Sequence, residues 1–433
     1  MKSHLTLSVA VTVLLLNLPS SINATPLRFS LIVDTNTSIP GGTGTFAGLS
    51  MFHSADGPNR VAFCGADSQG RLGVYSFFGQ NLNVVADANT SIPGGTGTFT
   101  NISSFEDISG SHIIFVGFNS SGFGGLFSSI AGQIVPLATT NTPIPGGTGS
   151  FTNFVKASVS GENVAFNAFG QSGQQGIYAI IDGQLKLLAD TSTPIPGGAG
   201  TFTAFPAFSG PAISGGIVAF EGFGPPGQNG IYAHIGGSLT KIVASGDTIN
   251  GKVVNRAGFS PDGLDGNQLA VTVVFDDESW AIFRVVDGQF NLVVDTNMTI
   301  PGGTGNFTRF DGIGPGPSLR DGTIAFVGDG AFGQRGVFFH NPSLSADLFL
   351  VADRNTPIPF GSFGNFTDFG PPSAFANGVI LRAPLPTNSY QAIFVADNVP
   401  EPATLLLFGT GLVGVAIKTR KRLKRRKSRQ GNQ

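Results

Sequence analysis

Ile39-Pro40-Gly41-Gly42-Thr43-Gly44-Thr45-Phe46 is the stretch that decides the architecture of this chain, because the chain repeats it. Four close copies begin at Ile92, Ile144, Ile195 and Ile300, and two degenerate copies begin at Ile249 and Ile358. The successive intervals are 53, 52, 51, 54, 51 and 58 residues. A nearly constant period of this length is typical of a repeat architecture.

Each interval contains four short predicted strands. In the third unit these strands cover residues 151–159, 164–169, 177–181 and 185–189, and they are rich in Val, Ile, Phe and Ala. Asp182-Gly183 between the last two is a strong hairpin signal, because a type I′ turn needs positive φ at both central residues. Second-strand phrases such as Val-Ala-Phe and third-strand phrases such as Gly-Ile-Tyr recur in other units.

Four strands in about 50 residues match one β-propeller blade. A β-sandwich needs about twice that length per domain, and a β-helix uses a much shorter period. One four-stranded sheet of this size cannot cover both of its faces, whereas blades stacked around an axis cover one another. The sequence therefore predicts an all-β fold, a seven-bladed β-propeller, over residues 25–398.

The two ends of this region predict how the ring closes. Residues 27–34 align with fourth strands such as 82–87, so the N-terminus carries a spare fourth strand. The last unit begins at Phe366, has three strands and stops at Asn398, where a fourth strand is due. We expect the N-terminal strand to complete the last blade, because this pairing removes both exposed sheet edges.

Composition and charge narrow the class of protein. Of 433 residues, 63 are Gly, 39 are Phe and one is Cys, at Cys64. Glycine-rich turns between Val-, Ile- and Phe-rich strands are typical of a secreted all-β protein, and a lone cysteine forms no internal disulfide. Residues 25–398 hold 14 basic and 25 acidic side chains. Such an acidic body argues against nucleic-acid binding.

The N-terminus is typical of a secretory signal. Lys2 precedes an apolar run over 5–18, and small residues then lead to Ala24. We predict a signal peptide at 1–24, removed by signal peptidase after Ala24.

The C-terminal segment, 399–433, has three parts. Val399-Pro400-Glu401-Pro402 opens it, an uncharged apolar stretch covers 403–417, and a basic tail covers 418–433. Fifteen helical residues rise about 22 Å, which is short for a hydrocarbon core of about 30 Å, but flanking Lys and Arg side chains can snorkel. We expect a transmembrane helix at 403–417 whose basic flank stays in the cytoplasm.

This order of motif, helix and Arg-rich tail resembles the PEP-CTERM sorting signal of Gram-negative bacteria. The resemblance implies recognition by an exosortase, inner-membrane anchoring before processing, removal of the helix and tail, and delivery to the cell surface or extracellular matrix. An ordinary C-terminal anchor is the alternative. Within the ring, the Gly-x-x-Val-Ala-Phe phrases resemble the tandem NxxGxxAF repeats of bacterial choice-of-anchor surface proteins, with Ser at the Asn position in Ser160 and Ser214.

The repeated phrase is predicted to be the loop between blades. Ile and Phe would anchor it in the core between blades, while Pro and Gly shape the turn. Aspartates precede five copies at one equivalent position, and they are Asp34, Asp87, Asp190, Asp295 and Asp353, with Thr139 and Ser245 at the other two. Such a ring of carboxylates on one face could bind a glycan or cations multivalently. The alternative is that these aspartates only form turns.

Other candidate chemistry is weak. Gly42-x-Gly44-x-x-Ala47 matches a relaxed dinucleotide fingerprint without the required helix, and no cofactor is predicted. Asp276-Asp277-Glu278 beside Trp280 is the densest acidic cluster, and a solvated hairpin tip is favoured over a Ca²⁺ site there. The third-strand ends at His234 and His340 would lie two blades apart, which disfavours a shared metal. No nucleophile–base motif is present.

These features together predict an exported bacterial surface or matrix protein that is not an enzyme and that binds exopolysaccharide or an envelope protein. An extracellular glycan hydrolase or lyase with its site on one propeller face is the alternative, since scattered loops can build a site without a motif. A purely structural component is a third possibility.

Overall fold

The computed structural model describes residues 27–397, except 104–105, 207–208, 226, 312–315, 346, 361–363 and 385–389. The predicted signal peptide (1–24) and sorting segment (399–433, with its helix at 403–417) lie outside the described residues. Within the described residues, no helix is long and apolar enough to cross a bilayer. Their only helical elements are three single 3-10 turns, Gln171–Gly173, Pro261–Gly263 and Ala331–Gly333.

The described strands form seven antiparallel sheets arranged as the blades of a propeller, which confirms the predicted fold. Blade 1 comprises β2 (Gly48–Ala55), β3 (Arg60–Ala66), β4 (Leu72–Phe78) and β5 (Asn81–Ala86). Blade 2 comprises β6 (Asn101–Ile102), β7 (Asp107–Ser109), β8 (His112–Phe118), β9 (Gly124–Ile130) and β10 (Gln133–Thr139). Blade 3 comprises β11 (Phe151–Ser160), β12 (Asn163–Gly170), β13 (Gln175–Ile181) and β14 (Gln184–Asp190).

The remaining blades repeat this order from the axis outward. Blade 4 comprises β15 (Ala212–Ser214), β16 (Ile217–Gly222), β17 (Gly230–Ile235) and β18 (Ser238–Ala244). Blade 5 comprises β19 (Thr248–Ile249), β20 (Lys252–Gly258), β21 (Leu264–Asp265), β22 (Gln268–Phe275), β23 (Trp280–Val286) and β24 (Gln289–Asp295). Blade 6 comprises β25 (Phe307–Phe310), β26 (Ser318–Arg320), β27 (Thr323–Gly330), β28 (Arg335–His340) and β29 (Leu348–Asp353). Blade 7 comprises β30 (Ser373–Phe375), β31 (Gly378–Pro384), β32 (Gln391–Asp397) and β1 (Arg28–Asp34).

The ring closes as the sequence predicts. Strand β1 pairs antiparallel with β32 and becomes the outermost strand of blade 7, with Arg28 opposite Asp397 and Asp34 opposite Ala392. The first and last strands of the ring therefore share one sheet, and breaking the ring requires separating them.

The innermost strands differ from the regular pattern. Blade 3 has one continuous inner strand of ten residues, β11. The described inner residues of blades 2, 5 and 6 include two strand pieces that pair with the second strand, and those of blades 4 and 7 include one piece of three residues each. Register shifts occur in first strands, as between Leu49 and His53 in β2, and also where third strands pair with fourth strands, as between Ile177 and Tyr178 in β13.

The core lies between blades and is organised by the repeated phrase. Ile39 and Phe46 are buried in a cluster that includes Phe375 of blade 7 and Phe63 and Tyr75 of blade 1. The Phe46 ring packs edge-on against Tyr75 with centroids 4.8 Å apart. The predicted role of Ile and Phe as anchors between blades is therefore correct.

The antiparallel order sets two faces of the ring. Each repeated phrase follows a fourth strand, and it lies on the same face as the loop between the second and third strands of its blade. We call this the loop face. The tight turns between first and second strands and between third and fourth strands lie on the opposite face, which we call the turn face.

Candidate functional site

The phrase forms the same small loop at each close copy. In the first copy, Ile39 N donates to Gly44 O at 3.1 Å and Phe46 N donates to Thr37 O at 3.2 Å. Gly41 and Gly44 have φ of 68° and 83°, a left-handed conformation that glycine adopts without a steric penalty. The anchors are buried and residues 41–45 between them are exposed. The loop is thus a fixed, exposed backbone surface on the loop face.

The predicted aspartate ring has a turn role in the structure. Asp34 Oδ1 accepts from Asn36 N at 3.1 Å and from Thr37 Oγ1 at 2.6 Å. Asp87, Asp190 and Asp353 repeat this pattern with the residues two and three positions later. Oδ1 of each aspartate is therefore engaged by its own loop, as expected for Asx-type turns. Oδ2 of Asp87 and of Asp353 also accepts a hydrogen bond, from the side chains of Asn89 and Asn355.

The five aspartates lie on five different blades. Asp34, Asp190, Asp295 and Asp353 end fourth strands, and Asp87 follows one directly. The outermost strand of each blade carries its aspartate, so each one serves its own blade. Asp34 also accepts a hydrogen bond from the Tyr390 hydroxyl at the ring closure, and it is buried.

Two of these aspartates line equivalent pockets on the loop face. Asp87 and Tyr75 share a pocket of about 300 Å³ on blade 1 with the phrase loop that begins at Ile39. Asp190 and Tyr178 share one of about 330 Å³ on blade 3 with the loop that begins at Ile144.

The tyrosine of each pocket remains a hydrogen-bond donor at neutral pH. Burial, with the nearby aspartate adding to it, raises the pKa of Tyr75 and of Tyr178 to about 12. Each pocket therefore offers a carboxylate acceptor, a phenolic hydroxyl and exposed glycine backbone.

A second polar assembly lies at the axis of the ring, and we call it the axial cluster. It lines a cavity of about 40 Å³, and its members are Phe52, His53, Glu106, Asp107, Lys156 and Asp262. A cavity of this size holds a few water molecules. It is far smaller than the roughly 300–1,000 Å³ of typical small-molecule sites.

Hydrogen bonds from the axial cluster tie blades together. Asp107 of blade 2 accepts from Ser54 Oγ of blade 1 at 2.5 Å and from Val159 N of blade 3 at 2.7 Å. Asp262 Oδ2 of blade 5 accepts from Ser373 Oγ of blade 7 at 3.3 Å. The cluster therefore has a clear role in holding the inner ends of the blades in place.

Burial shifts the protonation of the axial cluster toward neutral forms. It raises the pKa of Glu106 to about 8. Burial and the neighbouring Asp262 carboxyl raise the pKa of Asp107, and burial also raises that of Asp262. Burial lowers the pKa of Lys156 to about 8, although surrounding carboxylates oppose this.

The other residues considered from sequence do not converge. Asp277 lies at the β22–β23 hairpin, as expected, and pairs with Lys252 Nζ at 2.9 Å. His234 and His340 lie on β17 and β28, two blades apart. In the part of the chain that the structure describes, no three His, Cys, Asp or Glu side chains are placed to hold a metal ion.

Sequence reasoning missed the axial cluster. Lys156 is the only charged residue of β11, the first strand of blade 3, and Glu106-Asp107 lie at the start of β7, in the inner part of the preceding blade. Charged residues in inner strands of a propeller face the axis or a neighbouring blade. This was the available signal, but it did not specify which blades would meet.

Two family models match the chain. One, described as a family of unknown function (DUF7453), matches residues 21–250, which is more than half of the chain. The other, the PEP-CTERM protein-sorting motif, matches residues 398–422. It contains Pro400, Glu401 and Pro402 and confirms the sorting motif recognised in the sequence. Among curated proteins, none matches this chain.

Several solved structures are distantly similar to this chain. Oligogalacturonate lyase from Vibrio parahaemolyticus is 13% identical with a TM-score of 0.49, over 87% of this chain and 98% of that one. A puromycin-hydrolyzing peptidase from Mycobacterium tuberculosis is 16% identical with a TM-score of 0.46, over 81% and 50%. Acylaminoacyl peptidase from Pyrococcus horikoshii is 12% identical with a TM-score of 0.47, over 84% and 54%. Similarity this low supports no inference about activity.

Proposed function

We propose that this chain, which belongs to the family of unknown function DUF7453, is a non-catalytic surface or matrix protein that binds exopolysaccharide through its loop face. Its PEP-CTERM motif identifies it as an exported protein sorted by an exosortase and anchored in the membrane before processing. We further propose that the mature protein resides at the cell surface or in the extracellular matrix. We also propose that the domains of the chain are 1–24, 25–398 and 399–433, and that the repeats of the ring are of the tandem choice-of-anchor type.

One observation carries the proposal: blades 1 and 3 have pockets of the same construction and nearly the same size. Each combines an aspartate, a tyrosine hydroxyl and an exposed backbone loop, which together supply donors and acceptors for sugar hydroxyls. Each pocket is shallow and would bind one sugar weakly. A polymer that engages several blades at once gains affinity through effective concentration.

The alternative of a glycan hydrolase or lyase has less support. Glycosidases commonly place two carboxyl groups about 5–10 Å apart across the scissile bond, one with a raised pKa. Glu106, Asp107 and Asp262 are carboxyl groups whose pKa is raised, but they line the axial cavity. At about 40 Å³, this cavity admits no sugar ring.

The test is retention of the ring, residues 25–398, on a panel of exopolysaccharides, with polymer length followed in parallel. The seven hydrophobic clusters of the described residues all lie within this range, so we expect it to fold without the two ends. Retention with unchanged polymer length is the expected result. Shortened polymer would favour the enzyme, and no retention would leave an envelope protein partner or a structural role.

Two substitutions address the pockets directly. Asp87→Asn and Asp190→Asn keep an oxygen that accepts the turn hydrogen bonds and remove the charge, so the loops should survive while binding weakens. Asp182→Asn is the matched control, because Asp182 is an exposed turn residue with φ of 54° on the turn face of blade 3. Equal binding by all three variants would contradict a role for the aspartate pockets.

A further inference from the structure

Phe332 of blade 6 is an aromatic side chain with no structural role. It is fully exposed, with a relative accessibility of 101%, and its φ of 58° and ψ of 30° are left-handed. A bulky residue in this conformation is an outlier, because its Cβ crowds the following carbonyl oxygen. The chain therefore accepts backbone strain to present a ring that contributes nothing to the core.

The equivalent loop of blade 3 shows that the scaffold does not require an aromatic residue. Ser172 occupies the position of Phe332 there, with φ of 58° and ψ of 27°. In both loops a glycine N donates to a glutamine O four residues later, from Gly170 to Gln174 and from Gly330 to Gln334. The backbone geometry is a property of the repeat, and the phenyl ring is a feature of blade 6.

The loop that carries Phe332 is firmly held. Gln334 Nε2 donates to Thr304 O at 2.8 Å, and Thr304 N donates to Gln334 Oε1 at 2.9 Å. Arg354 Nη1 donates to Gly333 O at 2.9 Å. These contacts join the loop to the repeated phrase before blade 6 and to the loop after it. A ligand that stacks on Phe332 would therefore meet a side chain carried by a preorganised backbone.

A polar groove of about 500 Å³ adjoins the loop, and Gly330, Gly333 and Gln334 form one of its walls. Its charged lining residues are Arg309, Asp329, Arg335, Arg354 and Asp368. The Arg335 side chain, which is 14% exposed, binds Asp311, Asp329 and Asp368 at 2.6, 2.8 and 2.7 Å.

The upper edge of this groove offers hydrogen-bonding groups to solvent. The side chains of Arg309, Arg354 and Asp368 are 56%, 42% and 51% exposed. Arg309 Nη2 pairs with Asp329 at 2.8 Å. The groove is therefore close to electrically neutral and presents donors and acceptors side by side.

From this juxtaposition we propose that blade 6 carries a subsite for uncharged pyranose units of a polysaccharide. The flat C–H face of a pyranose ring stacks on Phe332, and its hydroxyl groups bind Arg309, Arg354 and Asp368 in the groove. An aromatic surface beside a few placed polar groups is the usual composition of a ligand site. The inference rests on the proposed polysaccharide binding and assigns it a place and a sugar class.

The charge of the ring selects a neutral polymer over an acidic one. Residues 25–398 contain 25 acidic and 14 basic side chains, so a polyanion is repelled at long range. The groove arginines are already paired with carboxylates. A carboxylate on the sugar would have to displace these partners.

The test compares the ring with its Phe332→Ser variant, which copies blade 3 at this position. Binding is measured on soluble dextran, β-glucan and mannan, and on alginate and polygalacturonate as acidic polymers. We expect Phe332→Ser to weaken binding to at least one neutral polymer by about tenfold without lowering the melting temperature. Phe332→Trp should keep binding, and its tryptophan emission should change on addition of that polymer.

The outcomes separate this inference from the proposed function. If the parent binds a neutral polymer and Phe332→Ser binds equally well, the subsite is wrong and the function stands. Binding confined to acidic polymers overturns the sugar class. If the parent binds no polymer, the proposed function fails and the subsite fails with it. Loss of self-association, with polymer binding unchanged, would assign Phe332 to a protein contact and overturn the subsite.

Discussion

The Cys64 thiol of blade 1 donates a hydrogen bond of 2.9 Å to Glu106 Oε2 of blade 2. Both side chains are buried, and burial raises the pKa of each. The thiol therefore stays protonated and remains a donor at neutral pH. Glu106 Oε1 and His53 Nδ1 are buried without a protein partner among the described residues, so we expect water in the axial cavity to serve them.

This cluster predicts that the ring loses stability as the pH rises from 6.5 to 8. The pKa of Glu106 is raised from 4.5 to about 8, so the folded chain keeps a proton that the unfolded chain releases. Its contribution is fully present below the unfolded pKa and is lost as the pH rises through the folded one. The raised pKa of Asp107, Asp262 and Glu221 acts in the same direction.

Two groups of the axial cluster act in the opposite direction at the ends of this pH window, so the carboxyl contribution is read from the difference between two variants. The pKa of His53 is lowered to about 4, so its opposite contribution grows until the pH has passed the unfolded pKa of 6.5. The pKa of Lys156 is lowered to about 8, so its opposite contribution grows as the pH rises through 8. Urea unfolding at several pH values should show a shallower slope for Glu106→Gln than for the exposed control Glu162→Gln. Identical slopes would contradict the assignment.

A second prediction concerns ring closure by β1. Val33 is fully buried, while Leu31 in the same strand is 38% exposed. Val33→Asp buries a charge beside Ile393 and should cost at least about 3 kcal/mol of unfolding free energy. Leu31→Asp should cost less than about 1 kcal/mol. Equal losses in thermal or urea unfolding would show that β1 does not hold the ring closed.

A third prediction tests the packing of the repeated phrase. A Cβ added at Gly117 would lie 2.6 Å from Phe99 Cδ1, whereas one added at Gly48 would meet only Gln391 Oε1, at 3.8 Å. Gly117→Ala should therefore destabilise the ring by about 1–3 kcal/mol, and Gly48→Ala should have a much smaller effect. Replacing Phe99 by Leu in the Gly117→Ala background should recover part of the loss, which a double-mutant cycle measures.

A fourth prediction concerns sorting. Changing Pro400-Glu401-Pro402 to three alanines should leave the full-length chain in the inner-membrane fraction, because the motif that an exosortase recognises is removed. Immunoblotting of cell fractions would show a larger product that is absent from the surface. Asn432→Ala, near the end of the tail, is the control. Normal processing of the triple-alanine chain would rule out sorting through this motif.

Much of the fold could be predicted, because the length and the internal pattern of the repeat indicate the number of blades and the strands of each. The period of the phrase predicted seven blades, and the Asp182-Gly183 turn predicted the β13–β14 hairpin that the structure contains. The spare fourth strand that ends at Asp34 predicted how the ring closes. The last blade lacks a fourth strand, so the unpaired edges at the two ends of the ring can pair with each other. These are local or periodic properties, and they depend on few tertiary details.

The candidate site was less accessible from sequence. Alignment of the repeats put Asp87 and Asp190 in equivalent loops, but Tyr75 and Tyr178 joined them only once the second and third strands had folded back to the loop face. The two-piece inner strand of blade 5, β20 and β21, likewise has no clear signal in the repeat.

By itself, the sequence determined the number of blades, the strand order within each and the sorting motif at the C-terminus, because hydrophobic pattern, glycine turns and repeat length are written along the chain. Only the tertiary structure decided that Glu106, Asp107, Lys156 and Asp262 share one axial cavity, and that Phe332 stands beside a groove of paired charges. These residues come from different strands and blades, and closing the ring is the physical step that brings them together.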